Sequence, residues 1–492
     1  MDASHDDRVQ VEEVPESSTN TVEQGERPEN RRGRLINPKA MRKNHELSRS
    51  EVRVLSLASL GGALEFYDFI VFVFFAQVIG KLFFSAGAAD WVRQVQVFGL
   101  FSAGYVARPI GGIIMAHFGD TRGRKRVFML SVLLMAIPTF LIGLLPTYQS
   151  IGTAAPLLLL LMRLLQGVAI GGEAPGAWVF VAEHAPRVRV GFAIGLLTCG
   201  LSFGIFLGSL MTTCLHHVFT PAQIAAGAWR IPFVIGGVLG FVAMWLRRWL
   251  AETPVFEELR RRAALSRQLP LRVIVKHHMR AVITSILSTW MLTAAIVVVI
   301  LMTPILLPQL FGVAPSQVQF ASLLGTLALC ISVVIVGALT DRFGIVRVAV
   351  PMLLLLIAST CVLFKIAASE PVMHVSTTPR LLISLFALAG FGAGAIVVTP
   401  ILMIHSFPGA VRFSGVSFSY NFGYALFGGV TPLLVSLLIH FDRFAPAYYV
   451  AAVAVIGLGA TIVGTKHVIG DLDSNVPVQK TPAQFAPTLT DS

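Results

Sequence analysis

The feature that most constrains this chain is a succession of apolar stretches, each long enough to cross a membrane as a helix. Spanning the hydrocarbon core of a bilayer takes about 20 predominantly apolar residues. Such stretches lie at 54–84, 94–118, 127–146, 154–182, 190–215, 230–250, 281–307, 317–339, 346–368, 380–404, 413–439 and 444–467. They lack the period-two alternation of membrane β-strands, and a helix satisfies its own backbone hydrogen bonds in lipid. The sequence therefore predicts an all-α integral membrane protein with twelve transmembrane helices.

Composition excludes a soluble fold and sets the expected topology. Of the 492 residues, 55% are hydrophobic and 13% are charged, whereas soluble domains carry about 25% charged residues. Basic residues are concentrated before the first span, in Asp120–Arg126 and in Arg247–Arg280. Because basic loops stay cytoplasmic, both termini are expected on the cytoplasmic side of a cell inner (plasma) membrane. The net charge of +12 then reflects topology, and no nucleic-acid partner is expected.

The chain ends and the cysteines suggest no further domain or metal site. Residues 1–53 are polar and lack the apolar core of a signal peptide, so they are predicted to form a disordered cytoplasmic tail. Residues 468–492 are predicted to form a second cytoplasmic tail. The four cysteines fall within predicted spans without paired spacing: Cys199, Cys214, Cys330 and Cys361. This pattern argues against a disulfide framework and against a zinc site, and no cofactor is expected.

An internal repeat divides the chain into two halves. The sequence GDTRGRKRV from Gly119 recurs as TDRFGIVRV from Thr340, so that Asp120 matches Asp341 at an offset of 221 residues. A second pair, EHAP from Glu183 and HSFP from His405, agrees at almost the same offset. The predicted halves are 54–250 and 281–467, joined by a cytoplasmic linker at 251–280. Two pseudo-symmetric six-helix halves suit a carrier that rocks around a central site.

These repeated D-x-x-G turns resemble the hallmark loop of the major facilitator superfamily. Further segments are similar to its metabolite:proton symporter branch: GGALEFYDF, ARPIGG, RLLQGVAIGGEAPGA, EHAP, AWRIPF, ETPVFEE and SFPGAVRFSGVSFSYNFGYALFGGVTP. The resemblance covers nearly everything between 54 and 440. It implies a monomeric secondary active transporter that takes up a small organic acid or zwitterion with protons by alternating access. The chain departs from the family pattern at Ala116, Thr121, Val190 and His405.

Charged side chains within the predicted spans are the first functional candidates, because a charge in lipid is costly. Asp68, Arg108 and Arg163 lie at depths within about 15 Å of one another, at roughly 1.5 Å per residue. Asp68 is predicted to carry the proton by alternating between an ion pair and a neutral form, as the resemblance also implies. A permanent structural ion pair is the alternative. Glu65, one turn earlier, either shares this titration or bonds a neighbouring helix.

The two arginines predict a site for a carboxylate, since guanidinium groups bind carboxylates with paired hydrogen bonds. Neighbouring polar side chains are predicted to orient the bound solute. The predicted binding residues are Arg108, Arg163, Tyr67, Tyr105, Gln166, Tyr420, Asn421 and Tyr424.

The charged turns between spans predict a gate that closes in only one state, although the same turns could serve topology alone. The predicted gate residues are Asp120, Gly123, Arg124, Glu173, Glu183, Arg189, Asp341, Arg342, Gly344 and Arg412. His405 is expected to be a loop or cap residue, with a pH-sensing role as the alternative.

Two other function classes compete with uptake. One is export of small molecules by proton antiport, which the absence of a Gly-Pro pair from span five disfavours. The other is a nutrient sensor built on a carrier fold. An enzyme is not expected, because neither H-E-x-x-H nor G-x-S-x-G occurs in the spans.

Overall fold

The described part of the chain is built from helices and short connections. The computed structural model describes residues 49–85, 87, 90–247, 261, 270–369 and 378–473, and no strand occurs within these ranges. The predicted tails beyond these ranges and most of the predicted linker lie outside the described residues.

The first half contains the helices α1 (Arg49–Phe74), α2 (Ala76–Phe83), α3 (Asp90–Arg122), α4 (Arg124–Leu144), α5 (Tyr148–Ile151), α6 (Ala154–His184), α7 (Val190–Val218), α8 (Pro221–Gln223) and α9 (Arg230–Arg247). The short helix α10 (Pro270–His277) lies within the predicted linker. The second half contains α11 (Met279–Thr293), α12 (Thr303–Phe311), α13 (Pro315–Phe343), α14 (Ile345–Ser369), α15 (Thr378–Ala393), α16 (Val398–Ser406), α17 (Arg412–Gly423), α18 (Gly429–Ile439) and α19 (Ala445–Asp473).

The helices coincide with the predicted spans. Among the described residues, ten helical stretches are long and apolar enough to cross a membrane, and the pair Pro221–Ala228 and Arg230–Trp245, bent by 47°, adds an eleventh. The remaining predicted span, 94–118, lies within the 33-residue helix α3. Two helices continue a few residues into the segments predicted as tails, α1 at its start and α19 at its end. Hydropathy marks only the part of a helix that lipid covers, so such extensions are expected.

Close packing of helices within the first half depends on glycine. A Cβ atom on Gly111 of α3 would lie 2.1 Å from the carbonyl oxygen of Val168 on α6. A Cβ atom on Gly204 of α7 would lie 2.2 Å from the carbonyl oxygen of Ala63 on α1. Small residues of this kind let membrane helices approach until their backbones touch. The glycines therefore set how the helices of this half are rotated against one another.

Three spans of the second half change helix type partway along. A π-helical segment, Ala294–Met302, joins α11 to α12, and another, Tyr424–Gly428, joins α17 to α18. A short 3₁₀ segment, Gly394–Val397, joins α15 to α16. Segments with π-helical turns occur frequently at functional sites.

We expect Gly111→Leu to lower the free energy of unfolding by about 1–3 kcal/mol, the usual effect of forcing a side chain into a packed core. Thermal unfolding of the purified protein in nanodiscs measures this change. Gly459→Leu is the matched control, because nothing lies within 4 Å of the position that its Cβ would take. Equal melting temperatures for the two variants would contradict the packing argument.

Candidate functional site

A narrow cavity lies between the two halves, and both halves contribute to its wall. The first half supplies Phe66, Ile70, Tyr105, Arg108, Ile170 and Ile205, and the second half supplies Ile296, Leu301 and Tyr424. The cavity has room for about one water molecule in this state. Because its wall belongs to both halves, the cavity must change when the halves move.

The Arg108 guanidinium is the charged group on this cavity among the described residues. Its Cζ atom lies 4.3 Å from the ring centroid of Tyr424, 5.3 Å from that of Tyr420 and 5.5 Å from that of Tyr105. Arg108 is 2% exposed, and its Nε and Nη2 atoms have no hydrogen-bond partner among the described residues. Aromatic faces attract the cation but accept no hydrogen bond of ordinary strength. The guanidinium therefore retains free donors for an anion.

The three tyrosine rings around Arg108, here called the tyrosine cage, come from two spans and are positioned by helical spacing. Tyr105 precedes Arg108 by three residues on α3, so both point to the same side of the helix. Tyr420 and Tyr424 are four residues apart on the span that begins with α17. The rings of Tyr105 and Tyr424 stack across the halves with centroids 5.5 Å apart, and Trp178 packs edge-on against Tyr420 at 4.8 Å. The cage thus depends on contact between the halves.

Arg163 does not line the cavity, although it lies within electrostatic range of Tyr105 on the cavity wall. Its Nη1 atom donates to Oε1 of Gln166 at 2.9 Å, and its Cζ atom lies 4.1 Å from the ring centroid of Phe72. Gln166 in turn donates through Nε2 to the Thr139 hydroxyl at 2.8 Å. Arg163 and Gln166 belong to a buried network inside the first half. The pair of guanidinium groups expected in one cavity is not assembled in this state.

Asp68 belongs to the same buried network. The residue is 1% exposed, its carboxyl group lies beside the Thr139 side chain, and its Oδ1 atom has no hydrogen-bond partner among the described residues. A Cβ atom on Gly236 of α9 would lie 2.2 Å from Oδ1, so the glycine leaves the space that the carboxyl group occupies. The described contacts join Asp68 to Arg163 through Thr139 and Gln166 rather than directly.

Two other residues predicted to bind the solute also have partners elsewhere. The Tyr67 hydroxyl donates to the carbonyl oxygen of Pro232 at 3.1 Å, which turns the ring toward α9. Asn421 donates through Nδ2 to the carbonyl oxygen of Gly171 at 2.6 Å, across the two halves. Neither residue lines the cavity. The side chain of Glu65 lies outside the described residues.

The two repeated turns make reciprocal contacts at one end of the bundle, here called the gate end. Asp120 accepts hydrogen bonds at Oδ2 from the backbone N–H and the hydroxyl of Ser414, at 2.9 and 2.7 Å. Asp341 accepts from the backbone N–H groups of Gly191 and Phe192, at 2.6 and 2.7 Å. Each aspartate thereby caps the first turn of a helix in the opposite half, where a negative charge is favourable.

A further ion pair joins the halves at the gate end. Arg412 Nη1 lies 3.0 Å from Glu183 Oε1, and the Glu183 side chain is 1% exposed. The repeat places Arg189 and His405 at the corresponding positions, and both lie within electrostatic range of Asp341. The two copies of the gate thus differ, with an ion pair in one and two basic side chains in the other.

The other residues predicted to form the gate do not share one kind of contact. Gly123 and Gly344 have positive φ angles of 114° and 85°, which explains why each D-x-x-G turn ends in glycine. Arg342 is exposed beside the Phe343 ring, and the side chain of Arg124 lies outside the described residues. Glu173 accepts a hydrogen bond from Ser131 of α4. This contact lies within the first half, so it does not place Glu173 across the gate.

Sequence reasoning missed several uncharged partners in these networks. Thr139 and Ser414 are polar residues that helices commonly tolerate, and nothing in their spacing marks them. Among the described residues, no group of three or more His, Cys, Asp or Glu side chains could hold a metal ion.

We expect Asp120→Asn to loosen the gate end, because a neutral acceptor binds its donors about half as strongly as a carboxylate does. Ser417 is a suitable reporter, since its buried hydroxyl donates to the carbonyl oxygen of Gly112 across the halves. In a background that lacks the native cysteines, maleimide labelling of Ser417→Cys should become at least about fivefold faster when Asp120→Asn is added. Asp442→Asn is the control, because the exposed Asp442 side chain accepts a hydrogen bond from the backbone N–H of Phe444 in its own turn. Unchanged labelling would show that the cap does not hold this end closed.

Comparison with known proteins identifies the family. Residues 54–269 match the family described as Sugar (and other) transporter. The chain is 32% identical over 403 residues to the citrate-proton symporter of Klebsiella pneumoniae, covering 82% of this chain and 89% of that protein. It is 31% identical over 432 residues to the inner membrane metabolite transport protein YhjE of Escherichia coli (strain K12), covering 85% and 95%. A provisionally assigned proline/betaine transporter of Staphylococcus aureus (strain COL) is 32% identical, covering 81% and 84%.

Solved structures show the same fold. The proton:xylose symporter XylE bound to 6-bromo-6-deoxy-D-glucose superposes with a TM-score of 0.68 at 17% identity, covering 85% of this chain and 96% of that structure. The partially occluded, inward-open form of XylE from E. coli gives a TM-score of 0.63. The twelve-helix prediction is confirmed, and the chain is a multi-pass inner membrane protein. By sequence and by fold, this protein belongs to the major facilitator superfamily of membrane transporters.

Proposed function

We propose that this protein is a proton-coupled symporter that takes up a small solute bearing a carboxylate, by alternating access. The observation that carries the proposal is the Arg108 guanidinium, which is buried on the cavity between the halves and has donors without a hydrogen-bond partner among the described residues. The citrate-proton symporter among the relatives supports coupling to protons.

Arg108 would bind the solute through Nε and Nη2. These two donors lie on one edge of a guanidinium and match the two oxygens of a carboxylate. The rings of Tyr105, Tyr420 and Tyr424 hold the group in place without using those donors. A carboxylate at this point would join the halves, because Arg108 belongs to one half and two of the rings to the other.

The gate end would face the cytoplasm. Basic residues flank the same turns that form the gate contacts, and basic loops stay cytoplasmic. In this orientation both termini are cytoplasmic, and the present state is closed toward the cytoplasm by Asp120, Asp341 and the Glu183–Arg412 pair. Release of the solute would require these contacts to separate while new ones form at the other end.

Asp68 would carry the proton. Asp68 is buried in the interior of the first half, and its Oδ1 atom has no hydrogen-bond partner among the described residues. A neutral Asp68 avoids an uncompensated charge there. Loss of the proton would then change the Thr139–Gln166–Arg163 network.

We expect Arg108→Gln to weaken binding of the solute at least tenfold, since a charge-assisted hydrogen bond contributes about 1.5–3 kcal/mol. The solute is first identified by thermal-shift screening of the wild-type protein against small carboxylates, betaines and sugars, because a ligand stabilises the state that it binds. Isothermal titration then compares the variant with Arg443→Gln, a change at an exposed loop arginine. Wild-type affinity in the Arg108 variant would remove Arg108 from the site.

We expect Asp68→Asn to abolish accumulation driven by a proton gradient while exchange of labelled for unlabelled solute continues. The asparagine imitates the protonated carboxyl group, so the loaded carrier can still change state. Uptake and counterflow are measured in vesicles, with the folded fraction of the variant verified beforehand. Equal loss of uptake and counterflow would contradict the assignment of Asp68 as the proton carrier. If an inward proton gradient drove the solute out of vesicles that contain the wild-type protein, rather than into them, an antiporter would be favoured.

A further inference from the structure

We infer that the solute carries a single carboxylate on an otherwise apolar body. The inference rests on the proposed function and narrows it to one chemical class. It follows from the composition of the cavity wall, in which one guanidinium and two tyrosines are surrounded by aliphatic and aromatic side chains. The aliphatic and phenyl groups are Phe66, Ile70, Ile170, Ile205, Ile296 and Leu301.

The charge of the cavity matches one carboxylate. Arg108 is the only arginine or lysine on the wall among the described residues. Arg163, the other arginine expected there, is instead turned toward Gln166 and Phe72. A second carboxylate on the solute would face aliphatic groups without a positive partner. Burying an unpaired charge is far more costly than burying an apolar group, so the wall disfavours di- and tricarboxylates.

A zwitterion also lacks a partner for its positive end. No acidic side chain lines the cavity within the described part of the chain. Tyrosine faces could attract an ammonium group, but Arg108 already lies over Tyr105, Tyr420 and Tyr424 at 4.3–5.5 Å. An ammonium group placed against the same rings would also lie beside a guanidinium of like charge. The cage therefore serves the arginine and leaves no equivalent site for a second cation.

A polyhydroxylated body would lose hydrogen bonds in this cavity. Apart from Arg108, the polar side chains on the described wall are those of Tyr105 and Tyr424. Each hydroxyl group that enters without a partner loses its bonds to water. An apolar body gains instead, because removing apolar surface from water is favourable. The wall thus favours a hydrocarbon or aromatic body over a sugar-like one.

A matched set of cyclohexane derivatives tests the inference on the full-length protein in nanodiscs. The set comprises cyclohexanecarboxylate, the corresponding dicarboxylate, the ring amino acid, the polyhydroxy ring acid and the neutral carboxamide. We expect the simple carboxylate to bind at least about tenfold more tightly than each of the others by isothermal titration. In Arg108→Gln, its advantage over the carboxamide should fall below about threefold.

A pair of wall variants adds a test of the apolar contact. Ile205→Thr and Ile205→Val leave side chains of nearly equal volume that differ by one hydroxyl group. The threonine variant should bind the simple carboxylate several-fold more weakly than the valine variant does. The ratio between the affinities for the simple carboxylate and for the polyhydroxy acid should also be smaller in the threonine variant. An unchanged ratio between the two acids would contradict selection by the wall.

The outcomes separate this inference from the proposed function. The dicarboxylate, the amino acid or the polyhydroxy acid could bind more tightly than the simple carboxylate and lose this binding in Arg108→Gln. That result would overturn the inference of a single carboxylate on an apolar body, but it would leave the proposed carboxylate carrier in place. Equal binding of the carboxamide and the carboxylate, independent of Arg108, would overturn both. Failure of the whole set to bind would overturn the inference, whereas the wider carboxylate screen with Arg108→Gln still decides the proposed function.

Discussion

The cost of placing a charge in hydrocarbon explains the partners of the buried charged side chains in the described part of this protein. Asp120 and Asp341 are placed at helix N-termini, where backbone N–H groups compensate them. Glu183 is compensated by Arg412. Arg108 differs, since its described contacts are aromatic faces that leave Nε and Nη2 without hydrogen bonds. The cavity between the halves therefore holds a charge whose hydrogen bonding is incomplete in this state, and the proposed carboxylate site depends on this feature.

The internal repeat produces reciprocal contacts between the two halves at the gate end. The same turn occurs after two helices, and the aspartate of each turn caps a helix of the opposite half. The copies have diverged, because Glu183 and Arg412 form an ion pair where the second copy has His405 and Arg189. One side of the gate is thus bridged by opposite charges, whereas the other depends on the Asp341 cap. The two sides need not separate with the same ease when the halves move.

The proposed proton site and solute site lie on different faces of one helix. Phe66 and Ile70, four residues apart on α1, line the cavity, whereas Tyr67 and Asp68 face the interior of the first half. A change in the charge of Asp68 would therefore act on the solute through the position of α1, not by direct contact. The network through Thr139 and Gln166 also links Asp68 to α6, which contributes Ile170 to the same wall. Both helices offer a physical route for coupling.

The sequence by itself determined the twelve spans, the division into halves and the identity of the charged residues within the spans. Apolar length and basic loops are local properties, and a rise of about 1.5 Å per residue fixes the depth of each residue. The rotation of each helix about its axis is not local. Tight packing at glycines such as Gly111 and Gly204 sets it, and it decided that Arg108 faces the cavity while Arg163, Gln166, Tyr67 and Asn421 do not. The depth of a residue along its helix follows from the sequence alone, whereas the direction in which its side chain points depends on how the neighbouring helices pack.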